Sequence, residues 1–237
     1  MIATPTWELL GAASALFWSL TYVLLIYVGF KEKTFGMPLF ALGLNISWEF
    51  LFSFLRIIPD GGSQRIVNIV WLLLDVAILL TFLKYGKPDF PKLSATGFYA
   101  NAALVFVVSF GILFVATDFP RVEATQDIRL TASRDMTAML QNGVMSILFV
   151  HLLRQRGSSR GQSIWIAVFK MLGTLCVSLM LLQPAFRVQI YGHHAQIWVI
   201  LIVAGVVVFA YDMIYTALLY RLMQKENRFP WTKQPGV

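Results

Sequence analysis

Charge is scarce in this chain. Of its 237 residues, 13% are Asp, Glu, Lys or Arg, where a soluble domain carries about a quarter. With 58% hydrophobic residues and a mean hydropathy of +0.70, the deficit excludes an ordinary soluble domain and indicates a polytopic membrane protein. Cysteine is nearly absent too. The one thiol, Cys176, lies inside an apolar run, which leaves no intrachain disulfide, no CxxC pair and no thiolate zinc pattern. The basic excess, 19 Lys and Arg against 12 acids, does not mark a nucleic-acid binder, because those residues are spread over short loops rather than gathered in one patch. A Gly-rich phosphate loop, HExxH and GxSxG are all missing. His193 and His194 are adjacent, and neighbours in sequence do not converge on a metal as i, i+4 pairs do, so no metal site and no cofactor are expected. The sequon at Asn45 falls at mid-span, out of reach of glycosylation. There is no internal repeat and no low-complexity tract, so residues 1–237 read as one domain.

What is present is a series of apolar runs long enough to cross a bilayer, which takes about 20 residues each. Seven qualify, at about 7–30, 37–58, 66–84, 97–117, 136–153, 164–183 and 196–221. They are too long for barrel strands, and only helices or closed barrels span lipid. The expected fold is therefore all-α, a seven-transmembrane helical bundle. The first run lacks a preceding Lys or Arg and is too long for a secretory signal, so it reads as a retained span. The polar connection Asp118–Asp135 has room for a short interfacial helix. One set of loops holds Lys31, Lys33, Lys84, Lys87, Lys92, Arg154, Arg156, Arg160, Arg221, Lys225, Arg228 and Lys233; the other holds Arg56, Arg65, Arg121, Arg129, Arg134 and Arg187. Twelve against six places the C-terminus in the cytoplasm and the N-terminus opposite.

Three acids lie inside these runs: Glu49, Asp75 and Asp212. An ionisable group in a bilayer is expensive, by at least ~2.5 kcal/mol, and marks a functional cavity by default. A carboxyl group kept neutral by apolar surroundings is also a competent general acid. Asn45 precedes Glu49 by one helical turn, so its amide can hold the carboxyl; Trp48 flanks it. Trp71 stands four residues before Asp75 and Tyr215 three after Asp212, while Trp18, Thr21, Tyr22 and Leu25 share one face of the first run. Lys170 lies one to two turns inside the cytoplasmic edge, and the favoured reading is a stem that snorkels to the headgroups. Pairing with Asp212 is the minority reading.

The stretch YVGFKEKTFGMP, Tyr27 to Pro38, followed by LGLNISWE, Leu42 to Glu49, resembles the PaxB-like membrane-integral terpene cyclases of fungal indole-diterpene and meroterpenoid pathways, which have bacterial relatives. A second block, NGVMSILF from Asn142 with Arg156, GQS from Gly161, and KMLGT from Lys170, resembles the same family, as does the acid at Asp212. The resemblance implies an enzyme that protonates a polyprenyl chain, usually at a terminal epoxide, and guides cationic ring closure. It implies Glu49 and Asp212 as essential acids, Asn45 and Trp48 as companions, and Asp75 in support.

The residues are compatible with that chemistry. Neither DDxxD nor DxDD occurs, so diphosphate ionisation through Mg²⁺ and the soluble protonation motif are both missing. Opening an epoxide needs only a placed acid. Trp18, Tyr22, Trp48, Trp71 and Tyr215 supply aromatic faces for a migrating cation, worth ~2 kcal/mol when desolvated. The expected partners are a hydrophobic prenylated small molecule and the lipid bilayer. A seven-helix proton-coupled carrier would use similar acids, but such carriers commonly contain a repeat. A membrane lipid hydrolase or isomerase is a third class open to the same acids.

Overall fold

The computed structural model describes residues 6–58, 61–118, 125–184 and 195–229. Among them the chain forms α1 (Thr6–Lys31), α2 (Leu39–Phe50), α3 (Gly62–Tyr85), α4 (Ala95–Ala116), α5 (Gln126–Arg156), α6 (Ile164–Leu182) and α7 (Ala195–Lys225), with no strand. Every helix but α2 is long and apolar enough to cross a membrane. Large apolar side chains such as Leu16, Leu73, Val107 and Val206 point outward from these helices, the surface that lipid solvates.

The second run differs from its expected extent of 37–58. Its α-helix covers Leu39–Phe50 and continues as a π-turn over Leu51–Leu55. Such an element rises ~25 Å, short of the ~30 Å hydrocarbon layer. It can be short because it is an interior helix packed by α3, α4 and α5, with Asn45, Trp48 and Glu49 among its buried residues. Its N-terminus is reached by a non-helical stretch in which Thr34, Phe35, Gly36 and Met37 are themselves buried.

The fifth run also differs. It is one unbroken helix, α5, with no separate interfacial helix among the described residues before it. The Thr125 hydroxyl accepts the Ile128 N–H and caps it, and no proline or glycine interrupts the polar turns that follow before Gly143.

The connections at the basic end are tied together. Arg156 donates to Asp89 at 2.8 Å and to the Phe35 carbonyl at 2.7 Å, with its guanidinium 4.1 Å from the Phe35 ring centre. Glu32 accepts the Gly161 N–H at 2.7 Å and pairs with Arg228. The Gln162 amide donates to the Gly36 carbonyl. Gly36 and Gly161 meet backbone to backbone: a Cβ on Gly36 would lie 2.5 Å from the Gly161 oxygen, and one on Gly161 2.7 Å from the Phe35 oxygen. The GMP segment is thus a docked floor on which α2 begins.

Candidate active site

Helices α1, α2 and α3 each bring one turn to a buried polar cluster. Asn45 spends both amide hydrogens there, donating to the Tyr22 hydroxyl and to Asp75 Oδ2 at 3.0 Å. Tyr22 donates onward to Glu49 Oε1 at a long 3.4 Å. Asn45 therefore positions Glu49 through Tyr22 rather than by the direct bond expected from the one-turn spacing. Asp75 takes the amide hydrogen that would otherwise reach Glu49. The Glu49 and Asp75 carboxyls are linked by Tyr22 and Asn45 in one hydrogen-bonded chain. Each keeps one buried oxygen, Oε2 and Oδ1, without a hydrogen-bond partner. No basic side chain bonds to this cluster among the described residues. Two carboxyls sharing such a site repel each other when both are charged, which disfavours double ionisation.

A second polar cluster joins α5, α6 and α7. Lys170 Nζ lies 2.5 Å from Asp212 Oδ1 and 2.6 Å from Ser146 Oγ, and Ser146 donates to the same Asp212 oxygen at 2.7 Å. All three residues are completely buried. The snorkelling reading of Lys170 is overturned: its helix face also carries buried Gly173 and Thr174, and it points inward. A buried ammonium needs a counter-charge, and Asp212 provides it while leaving Oδ2 open.

Trp18 stands between the clusters. Its ring centre is 5.8 Å from that of Tyr22 and 5.8 Å from Lys170 Nζ. Gly173 makes room for it, since a Cβ there would lie 2.7 Å from the indole. Trp71 meets Tyr22 edge-on at 6.1 Å and is fixed by donating to Ser19 at 3.0 Å. Tyr215 is fully buried, donates to Gln162 at 2.6 Å and packs edge-on against Phe149. Trp48 departs from its expected place. Its N–H bonds Thr137 at 3.1 Å and the Arg134 carbonyl at 3.2 Å, and its ring packs with Leu51, Phe52 and Leu113. Adjacent helix positions face different directions, so Trp48 braces α2 against α5 on a face other than that of the acids.

Sequence reasoning misses Ser146 and Gln162 as site residues; they enter it only within the second motif block. Four residues separate Ser146 from the basic-end core residue Val150 and three from Phe149, a readable inward face, but the Asp212 it serves is 66 positions away. Among the described residues no group of three or more His, Cys, Asp or Glu side chains is arranged to hold a metal ion. His193 and His194 lie outside the described residues.

The family model for Pyr4-like transmembrane terpene cyclases matches residues 3–225. Among curated relatives, terpene cyclase pyr4 of Aspergillus fumigatus is 26% identical across 94% of this chain and 88% of its own length. Asnovolin H synthase nvfL of Aspergillus novofumigatus is 27% identical across 70% of this chain and 65% of its own. Terpene cyclase ascF of Acremonium egyptiacum is 23% identical across 94% and 84%. No solved structure matches this chain.

Proposed function

The chain belongs to the Pyr4-like transmembrane terpene cyclases, and from that premise we propose how its two polar clusters divide the work of acid-initiated cyclisation. The chain is a membrane terpene cyclase of the kind that serves meroterpenoid and indole-diterpene biosynthesis. The observation that carries the division of roles is the placing of the buried cation: Lys170 sits on Asp212, and among the described residues no cation sits on Glu49 and Asp75. Glu49, sharing a proton with Asp75, is the donor. Asp212, paired with Lys170 and hydrogen-bonded by Ser146, is the base.

Glu49 protonates a terminal oxirane oxygen, or a terminal alkene where the substrate lacks the epoxide. The carbon–oxygen bond breaks, the neighbouring alkene attacks the electron-poor carbon, and positive charge moves down the chain as rings close. Tyr22, Trp71 and Trp18 present aromatic faces along the way. Water is kept from the cation by the apolar packing around it. Asp212 accepts the proton lost at the end, so substrate and product are isomers; the next turnover begins once Asp212 has released that proton and the Glu49–Asp75 cluster has regained one from solvent. No step asks for a metal. The substrate is a prenylated small molecule drawn from the lipid phase, and the basic end faces the cytoplasm.

Membranes containing the protein, EDTA and a panel of prenylated and epoxyprenylated aromatics test this. Wild type should give a cyclic product of unchanged mass. Glu49→Gln should leave the substrate unconsumed. Asp212→Asn, where it folds, should consume substrate slowly and release altered termination products. Full activity in Glu49→Gln, or dependence on an added divalent ion, would overturn the mechanism.

A further inference from the structure

We propose that a cavity at the basic end, separate from the acids, seats the polar aryl headgroup of the substrate while its prenyl chain runs down α2 to Glu49. The proposal rests on the cyclase reading above. The cavity holds about 440 Å³ and is bounded by the start of α2, the turn 87–90 and the last turns of α5. None of Glu49, Asp75 and Asp212 lines it. Its size fits a small-molecule site.

Its chemistry is mixed in a way that suits an oxygenated ring. Phe35, Phe40 and Phe90 offer aromatic faces. His151, Gln155 and Ser158 bring polar groups to the same space. His151 and Gln155 are exposed and one helical turn apart on α5, so both can reach one ligand. Two guanidiniums, Arg156 and Arg160, line the cavity beside a single carboxylate, Asp89, to which both are bonded. The lining therefore carries an excess of donors and of positive charge, matched by phenol or carboxylate oxygens.

Its position fits a tethered ligand. Leu39 lines the cavity and starts α2; Asn45 and Glu49 follow six and ten residues later, at ~9 and ~15 Å along the same helix. A few isoprene units cover that length. Leu148 lines the cavity from α5 and packs on the core that contains Leu42, Met145, Phe149 and Tyr22. Methionine yields readily, so Met145 is the buried α5 side chain that has to give way for a chain to pass. α4 and α5 touch little, which leaves this side open to lipid.

The test compares a prenylated dihydroxybenzoate with the same prenyl chain carrying only a hydroxyl. In membranes, His151→Ala and Gln155→Ala should each raise KM for the dihydroxybenzoate about tenfold, the effect of losing a hydrogen bond to a charged or polar group, with kcat nearly constant. The preference for the headgroup-bearing substrate should fall by the same factor. Gln155→Glu should penalise the carboxylated headgroup more than its neutral methyl ester. Equal KM values for both substrates across all three variants would overturn the proposal. A change that instead follows the anionic-lipid content of reconstituted vesicles would also overturn it, assigning the cavity to a lipid headgroup. Loss of activity in Glu49→Gln is read separately, so the cyclase mechanism stands or falls on its own result.

Discussion

Removing one partner of the Lys170–Asp212 pair strands the other. With both side chains fully buried, a lone ammonium or carboxylate costs about 3–5 kcal/mol, whereas replacing both by neutral groups is often tolerated. Asp212→Asn should therefore lower thermal stability in detergent sharply, and Lys170→Met combined with Asp212→Asn should restore most of it. A double variant no more stable than Asp212→Asn alone would mean that the ion pair is not formed in the folded protein. The rescued double variant should still terminate the cascade wrongly, since folding returns and the base does not. At this scale the sequence was legible in part. Glu49, Asp75 and Asp212 stood out as acids in apolar runs, and Tyr22, Trp18 and Asn45 lay on readable faces. What stayed hidden was partner choice. Depth along the helix suggests that Lys170 snorkels, but the face it shares with Gly173 and Thr174 decides its direction. Trp48 adjoins Glu49 in sequence, but adjacency in a helix separates side chains.

The helices were legible by length and the break points by Gly, Pro and charge, except where an element gains its stability from burial instead. α2 is the example. Apolar length predicts a full span, but its neighbours enclose it and its floor is the GMP segment. That motif was visible as a string; its task, a backbone contact with Gly161, is a tertiary fact. The contact makes a ranked prediction. Gly36→Ala forces a Cβ to within 2.5 Å of the Gly161 oxygen, a backbone atom that cannot swing aside. Gly157→Ala meets nothing within 4 Å and strains only its φ of 62°, a cost of ~1 kcal/mol. Gly36→Ala should cost more, ~1–3 kcal/mol as for overpacking, and should cut turnover by displacing α2, while Gly157→Ala keeps its activity. Equal melting temperatures for the two variants would show that the GMP segment is not docked as described.

At the scale of the whole molecule, the short α2 and the charge bias make a joint statement about topology. α2 rises ~25 Å, yet the chain leaves it at Arg56, and α3 returns from Gly62 to Tyr85 at the basic end. α2 therefore has to complete a crossing of the bundle despite its length, using the buried stretch before it for the remaining depth. Eleven of the twelve Lys and Arg expected on the cytoplasmic side fall among the described residues, and they then lie at the end where Asp89, Glu32 and Glu226 tie the loops and the tail together. The Arg56–Asp118 and Arg134–Asp135 pairs lie at the other end. A glycosylation tag inserted at Gly61 should be modified in a eukaryotic membrane, and the same tag at Gly157 or after Val237 should not. Modification at Gly157 or after Val237 with none at Gly61 would invert the orientation. Identical behaviour at Gly61 and at Gly157 would mean that α2 turns back within the bilayer. The Glu49 cluster and the Lys170–Asp212 pair would then not stand on either side of Trp18 as described, and the division between proton donor and base would lose its geometric footing.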